Sequence, residues 1–226
     1  MQTVSSTTCV IGDIHGCHAS LVALLDKLLP WADTIVFLGD YVDRGPDSRK
    51  VVDTVMALQK THGRVITLMG NHDFLFLQYL TGQEEPLFLN VGGRETLASY
   101  GLSPSASREE IARLVPPEHR LFFNSLPLVW EDQHAVYVHA GLQPGRHLSQ
   151  QTQQWCLWAR EAFLRSTCDY GKPVVFGHTT FDEPLVAADK IGIDTGAVYG
   201  GRLTALLLPE REVVSVPGQR PNTCRF

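Results

Sequence analysis

Six side chains that can bind metal cations stand at widely separated points of the chain: Asp13, His15, Asp40, Asn71, His139 and His178. Oxygen and imidazole ligands without thiolates suit manganese, iron, zinc or magnesium better than a structural zinc cage. One carboxylate shared between two cations would leave both open to water, and two metals about 3.5–4 Å apart can activate hydroxide for in-line attack on phosphorus. Asp40 is the most natural bridge between them.

Each of these side chains comes directly after a short apolar run. Such runs, rich in β-branched and aromatic residues, are typical of buried strands, and they end here in Gly, Asp, Asn or His. The six runs are 8–11, 34–38, 65–69, 135–138, 174–176 and 191–193. The last is followed by Asp194, which ends a strand in the same way as the candidate ligands.

Helical patterns separate the early strands. Leu21, Leu24, Leu25 and Leu28 form one apolar stripe, and a second stripe lies within 51–56. Strands that alternate with helices favour parallel pairing through right-handed crossovers, and ligands then collect at the carboxyl ends of the strands. The sequence therefore predicts an α/β fold whose candidate ligands meet at one sheet edge.

The middle of the chain is less regular. Ser107 to Glu110 is typical of a capping box that opens a short helix ending at Pro116, and 126–131 with 134–138 reads as a hairpin. A second hairpin is expected across 203–216. No linker or repeat divides the chain, so we expect one domain over 1–226, with a possible helical cap around 80–126.

Five motifs carry a family resemblance: GDIHG at 12–16, GDYVDRG at 39–45, GNHD at 70–73, HAG at 139–141 and GHT at 177–179. In this order they resemble the calcineurin-like metallophosphoesterases, most closely their bacterial and phage-type phosphoprotein phosphatases. The resemblance runs from about residue 13 to 206. It implies a four-layer α/β/β/α sandwich and two divalent metal ions, most often manganese, with iron, zinc or magnesium also open.

The resemblance also implies roles for individual residues. Asp13 and His15 would hold one metal ion, Asp40 would bridge, and Asn71, His139 and His178 would hold the other. His72 would be the general acid that protonates the leaving oxygen, with Asp43 orienting its ring. The residues expected to bind substrate are Arg44, Arg160 and Asn71, and the planar fork of an arginine suits phosphate oxygens.

The motifs leave the substrate open between two kinds of phosphoester. Asp43 matches the protein serine/threonine phosphatases, which are the first expectation. Asp73, after Asn-His, resembles the symmetrical diadenosine tetraphosphate hydrolases, and Met69 stands where many protein phosphatases have an arginine. Hydrolysis of a dinucleoside polyphosphate is therefore the alternative. A catalytically inactive phosphate-binding module is a third hypothesis, which the complete set of ligands and acid disfavours.

Composition limits partners and location. The 226 residues are 44% hydrophobic and 19% charged, with a net charge of −5 and scattered basic residues, so stable nucleic-acid binding is not expected. A phosphoprotein, phosphopeptide or small phosphorylated substrate fits, and the oligomeric state stays open. The absence of a long apolar run or leader pattern predicts a cytoplasmic protein without a membrane anchor.

Five cysteines without Cys-x-x-Cys spacing suggest reduced thiols, with Cys17 packed. Histidines outside the motifs, such as His119, are expected at the surface or in turns.

Overall fold

The apolar runs form strands of two five-stranded sheets. The computed structural model of the protein describes residues 6–83, 85–167 and 169–220. The strands of the first sheet are β1 (Thr8–Ile11), β2 (Thr34–Phe37), β3 (Val65–Thr67), β9 (Arg202–Leu208) and β10 (Glu212–Pro217). Those of the second are β4 (Val129–Glu131), β5 (Val136–Val138), β6 (Val174–Phe176), β7 (Leu185–Val186) and β8 (Lys190–Gly192).

Both sheets combine three neighbouring parallel strands with antiparallel pairs. The first has the order β10-β9-β1-β2-β3, in which β1, β2 and β3 are parallel and β9 runs antiparallel to β1, with Thr8 opposite Leu208. The second has the order β4-β5-β6-β8-β7, in which β5, β6 and β8 are parallel. The parallel pairing expected from the strand and helix alternation is confirmed, as are both predicted hairpins.

Helices cover the outer face of each sheet. Along the first half of the chain they are α1 (His18–Leu28), α2 (Ser48–Thr61), α3 (Asn71–Thr81), α4 (Glu85–Phe88), α5 (Arg94–Ser99), α6 (Arg108–Leu114) and α7 (Pro117–Ser125). The second sheet is covered by α8 (Gln153–Trp158) and α9 (Glu161–Leu164). The capping box at Ser107 is confirmed, since its hydroxyl accepts from Glu110 N and the Glu110 carboxylate accepts from Ser107 N.

Alternation along the strands creates three apolar layers. In β1, Cys9 and Ile11 face α1 and α2, whereas Val10 faces the second sheet. In β5, Tyr137 faces the first sheet, and its neighbours Val136 and Val138 pack towards α8 and α9. One apolar layer thus lies between the sheets and one beyond each of them, which is the expected α/β/β/α order.

The segment expected as a cap is helical but packs into the main core. Helices α4 to α7 occupy most of 80–126, and Phe88, Leu97, Ile111 and Phe123 belong to the same buried cluster as α1 and α2. The single domain over 1–226 stays a prediction. Among the described residues, no helix has the length and apolarity needed to cross a membrane.

Candidate metal centre

The candidate ligands lie where parallel strands of both sheets end. Asp13, Asp40 and Asn71 follow β1, β2 and β3, while His139 and His178 follow β5 and β6. The backbone at this edge is unusual. Six described non-glycine residues have positive φ, and five of them line this edge: His15, Asp40, Asp43, Arg44 and His178. Such conformations cluster where a fold aims side chains at a common point.

Two glycines let ligand carboxylates approach the backbone. A Cβ on Gly70 would clash with Oδ1 of Asp40, and a Cβ on Gly177 would clash with Oδ1 of Asp13. The space at Gly70 lets His72 N donate to Asp40 Oδ1 at 3.0 Å. That at Gly177 lets His178 N donate to both oxygens of Asp13, at 3.2 and 3.1 Å. The glycines that begin these motifs are therefore steric requirements of the centre.

Asp40 lies in the middle of the cluster. Its Oδ2 is 3.3 Å from His15 Nε2, and its Oδ1 is 3.6 Å from His139 Nε2. Potential ligand atoms lie within 4.8 Å of one another in two groups, one of Asp40 with His15 and His72, the other of Asp40 with His139 and His178. Burial would raise the pKa of Asp40, but His139, His72, His15 and Arg44 together lower it. This carboxylate is therefore ionised and common to both groups, as a bridging ligand must be.

Backbone carbonyls fix the orientation of two imidazoles. His15 Nδ1 donates to the carbonyl of Val42 at 2.8 Å, and His139 Nδ1 donates to that of Leu38 at 3.0 Å. Because a neutral imidazole carries one proton, each Nε2 keeps a lone pair directed into the centre. Burial lowers the pKa of both rings, so they are neutral and suited to binding a metal.

Several atoms with lone pairs lie close together around Asn71. They carry too few protons to form hydrogen bonds among all of them. Asn71 Oδ1 lies 2.9 Å from His139 Nε2 and 2.9 Å from His178 Nδ1. His178 Nε2 is buried without a hydrogen-bond partner. Burial, with His139 nearby, lowers the pKa of His178 to about 3. A divalent cation satisfies such convergent lone pairs, so this donor set fits the metal ions that the sequence predicts.

Asp13 shares its surroundings with a second buried carboxyl group. Burial, Asp194 and Asp40 raise the pKa of Asp13 well above its ordinary value. Asp194 accepts from Thr180 Oγ1 at 2.9 Å and from Gly196 N at 2.9 Å, so its oxygens already have protein partners. A cation beside Asp13 would favour its ionised form and so lower its pKa again. Asp194 is held by its own loop, and its charge opposes ionisation of Asp13.

His72 and Asp43 form a close pair beside these groups. His72 Nδ1 donates to Asp43 Oδ2 at 2.7 Å, and both side chains are buried. The His72 ring stands at 89° to the His15 ring, with centroids 4.8 Å apart. Burial raises the pKa of Asp43, while its bonds to His72 and Thr96 oppose that rise. The arrangement orients His72 towards the candidate metal site.

The expected phosphate-binding arginines lie at different depths. Arg44 is half-buried, and its Nη1 donates to His15 Nε2 at 2.6 Å. Its guanidinium carbon is 5.6 Å from the ring centroid of Tyr199, whose side chain is 54% exposed. Arg160 is exposed at the start of α9, and its charge contributes to lowering the pKa of His178. Both arginines therefore lie around the centre, with Arg44 the deeper.

Two residues used to compare substrates face away from the centre. Asp73 is fully buried and accepts from the backbone N of Asp40, Tyr41 and Gly70 at 2.7, 3.0 and 2.9 Å. Met69 packs in the apolar core. Asp73 thus links the loop after β2 to the loop after β3 through hydrogen bonds. Its side-chain direction depends on backbone N–H groups of the loop after β2, and the sequence alone does not give the orientation of those groups.

The structure corrects one expectation and adds a residue. His119 is buried rather than at the surface, between Tyr100 Oη at 2.8 Å and Asp53 Oδ1 at 3.0 Å. Thr96, which no motif singled out, contacts Asp43 with its hydroxyl.

Cys17 is packed as expected, and burial raises the pKa of its thiol to about 11. Cys9, Cys17 and Cys156 are free thiols, whereas Cys168 and Cys224 lie outside the described residues.

Comparison with known proteins gives consistent matches over nearly the whole chain. The sequence model of the calcineurin-like phosphoesterases matches residues 6–182. The bis(5′-nucleosyl)-tetraphosphatase PrpE [asymmetrical] of Geobacillus thermodenitrificans is 31% identical over 245 residues, covering 94% of this chain and 95% of that protein. Its counterpart from Anoxybacillus flavithermus is 30% identical, with 94% coverage of both. The crystal structure of a candidate diadenosine tetraphosphatase has a TM-score of 0.72 and 25% identity, covering 97% of this chain and 96% of the other.

Proposed function

Because the chain belongs to the calcineurin-like phosphoesterase family, we propose that it hydrolyses the tetraphosphate bridge of a bis(5′-nucleosyl) tetraphosphate off-centre. The observation that carries this proposal is the 30–31% identity to asymmetrical tetraphosphatases across about 94% of both chains. Of the two substrates that the sequence left open, these relatives support the dinucleotide over the phosphoprotein. They favour asymmetrical rather than symmetrical cleavage.

The candidate ligands divide naturally between two divalent ions. Asp13 and His15 would hold one, Asn71, His139 and His178 the other, and Asp40 both. When bound, such ions activate water for attack on phosphorus and neutralise charge on the phosphate. Contacts within the protein hold these side chains in place, because Val42 and Leu38 fix His15 and His139 and the His178 backbone fixes Asp13. Manganese as the ion in the cell stays a prediction.

The remaining groups bind and protonate. Arg44 would grip a phosphate oxygen, since its guanidinium already reaches the centre at His15 Nε2. Arg160 at the rim and the amide of Asn71 would contact further oxygens. His72 would give a proton to the leaving oxygen, with Asp43 holding its Nδ1 so that Nε2 is the proton donor.

Tyr199 gives the site a feature suited to a nucleotide. Its ring is 54% exposed and 5.6 Å from the guanidinium carbon of Arg44, so a base could stack beside a phosphate that Arg44 holds. Stacking on an aromatic side chain contributes about 1–3 kcal/mol per base. Tyr199→Ala should therefore weaken dinucleotide binding about 5–150-fold and leave p-nitrophenyl phosphate turnover nearly unchanged, while Tyr199→Phe should resemble wild type.

The direct test compares substrates and products. Purified, manganese-loaded protein is assayed with diadenosine tetraphosphate and with a phosphoserine peptide in parallel, and kcat/KM is measured for both. Off-centre cleavage yields AMP and ATP, whereas central cleavage yields two ADP. Asp40→Asn, which should lose both metal and activity, controls for contaminating enzymes. ADP as the main product, or a higher kcat/KM for the peptide, would refute the proposal.

A protein phosphatase activity is the second candidate, and the Asp43–His72 pair favours it. An alkoxide such as serine is a poor leaving group that needs a proton, whereas a nucleotide phosphate leaves more readily. A buried acid pair at 2.7 Å is therefore of most use for a phosphomonoester. The peptide arm of the same assay tests this candidate, and turnover of neither substrate would favour the inactive binding module.

A further inference from the structure

We propose that Thr96 is a positioning residue, which holds Asp43 so that the Asp43–His72 pair delivers its proton in the correct direction. The proposal rests on the general-acid role given above to His72. It concerns any leaving oxygen that needs a proton, so it does not depend on which phosphoester is the substrate.

Thr96 contacts Asp43 at two points. The Thr96 hydroxyl lies 2.7 Å from Asp43 Oδ1, and Asp43 N lies 2.8 Å from the same Thr96 oxygen. Asp43 Oδ2 is left to accept from His72 Nδ1 at 2.7 Å. Thr96 and Asp43 are both fully buried. Each oxygen of the carboxylate therefore has its own partner, and water does not compete for either.

The chemistry of the groups fixes the direction of each hydrogen bond. A backbone N–H can only donate, so the Thr96 oxygen accepts from Asp43 N. Its single hydroxyl proton is then directed to the carboxylate at Oδ1. Ser48 Oγ, 3.2 Å from Thr96 Oγ1, can donate into the remaining lone pair. Ser48 thus donates to Thr96, and Thr96 donates to Asp43 Oδ1. Asp43 Oδ2 remains free to accept from His72.

Asp43 needs this support because its backbone is strained. Its φ is 73°, in the left-handed region that non-glycine residues seldom adopt. Thr96 holds both the backbone and the side chain of Asp43, so neither can turn away alone. A misplacement of 1 Å in a catalytic group can lower a rate about a hundredfold.

The segment that carries Thr96 also holds the neighbouring arginine. The carbonyl of Gly92 accepts from Arg44 N at 3.0 Å, just before α5 begins. Helix α5 is in turn tied to α2, because Ser99 Oγ donates to the Thr96 carbonyl at 2.7 Å and accepts from Arg49 N at 3.1 Å. Gly92 and Thr96 therefore hold Arg44 and Asp43 from one short segment of the chain.

Leaving-group dependence distinguishes positioning from a merely structural role. Thr96→Val keeps the shape but removes the hydroxyl. It is assayed with a series of aryl phosphates whose leaving phenols differ in acidity, alongside His72→Asn and wild type. We expect a fall of about 10–100-fold in kcat for the poorest leaving group and less than about threefold for the best, with KM little changed. The loss is smaller than the full 10²–10⁴ contribution of general acid catalysis because His72 itself is still present. Thr96→Ser should restore the wild-type dependence.

Controls separate this effect from damage to the helix. Ala98→Gly weakens α5 at an exposed position that makes no side-chain contact with Asp43, so it should keep the wild-type dependence, and metal content is measured for each variant. If Thr96→Val does not fold, the smaller Thr96→Ala takes its place. A uniform loss across all leaving groups, or a wild-type dependence in the Thr96 variant while His72→Asn is steep, overturns the proposal.

A flat dependence in His72→Asn would remove the acid role, and the role of Thr96 with it. The tetraphosphatase proposal is judged separately, by the products formed from diadenosine tetraphosphate.

Discussion

Single residues at the centre combine strain with burial. Each left-handed non-glycine residue costs about 1–3 kcal/mol, and His15, Asp40, Asp43, Arg44 and His178 are all of this kind. Such residues persist only where surrounding contacts over-determine them. At this edge those contacts come from fully buried side chains outside the motif ligands, of which Asp73 and Thr96 are examples.

Asp73 offers a test of that support. Asp73→Ala leaves three buried backbone N–H groups without their acceptor, at about 1–3 kcal/mol each, so we expect the free energy of unfolding to fall by about 3 kcal/mol or more. Urea titration measures the loss, with the exposed Asp26→Ala as control.

The same variant tests whether Asp73 selects substrates. Because its carboxylate faces the backbone, the ratio of kcat/KM between p-nitrophenyl phosphate and diadenosine tetraphosphate should stay within about twofold of wild type. A large change in that ratio, with stability intact, would return Asp73 to the list of specificity residues.

His119 predicts a pH dependence of stability. Burial lowers its pKa in the folded protein, although Asp53 opposes the shift. Below pH about 6.5 the unfolded chain therefore binds a proton at His119 that the folded chain resists, and this group costs stability as the pH falls. Between pH 7.5 and 5.5, His119→Gln should lose less stability than wild type, by up to about 1.4 kcal/mol per pH unit.

Urea titrations of both proteins at the two pH values, in EDTA, measure this difference. The other histidines are common to both proteins and cancel in the comparison. Equal losses in the two proteins would show that His119 takes no part in the pH response.

At the scale of elements, the sequence predicts strands better than helix contacts. An apolar run followed by a polar turn marks where a strand ends, so the ligands after β1, β2, β3, β5 and β6 could be located from the sequence. Thr96 could not, because it lies on a six-residue helix that follows a left-handed Gly92 and contacts Asp43 only through the tertiary fold. His119 was misplaced because its partners lie outside its own helix: Asp53 is in α2, and Tyr100 directly follows α5.

Gly92, which precedes α5, lies so close to Arg44 that there is no room for an added methyl group. A Cβ on Gly92 would lie 2.7 Å from both Cγ and N of Arg44, and φ there is 118°. Gly92→Ala should therefore displace Arg44 and lower kcat/KM at least about tenfold. Gly101→Ala is the matched control, since φ is 75° there but nothing lies within 4 Å of the added Cβ. Equal effects of the two variants on kcat/KM would contradict the displacement.

Across the whole molecule, the candidate centre joins the two sheets. Asp13, Asp40 and Asn71 come from the first sheet, and His139 and His178 come from the second. Any ion bound to both sets is lost when the sheets separate. Metal binding should therefore stabilise the complete fold rather than one local loop.

Thermal unfolding with manganese or with EDTA tests this coupling. At a manganese concentration a hundred times the Kd, we expect about 2.7 kcal/mol of added stability and a higher Tm. His139→Ala should lose most of the manganese-dependent shift, whereas His147→Ala, an exposed histidine away from the centre, should keep it. The same shift in both variants would place the manganese elsewhere.

The pairing of β1 with β9 has a consequence for how the protein is made. Strand β1 leaves the ribosome long before its neighbour on one side, β9, in which Leu208 lies opposite Thr8. At about 5–20 residues per second, β1 waits some tens of seconds or less for that partner. During this interval its ligand loop, with Asp13 and His15, lacks both β9 and the later histidines. The complete candidate centre can therefore assemble only after the later strands have been made.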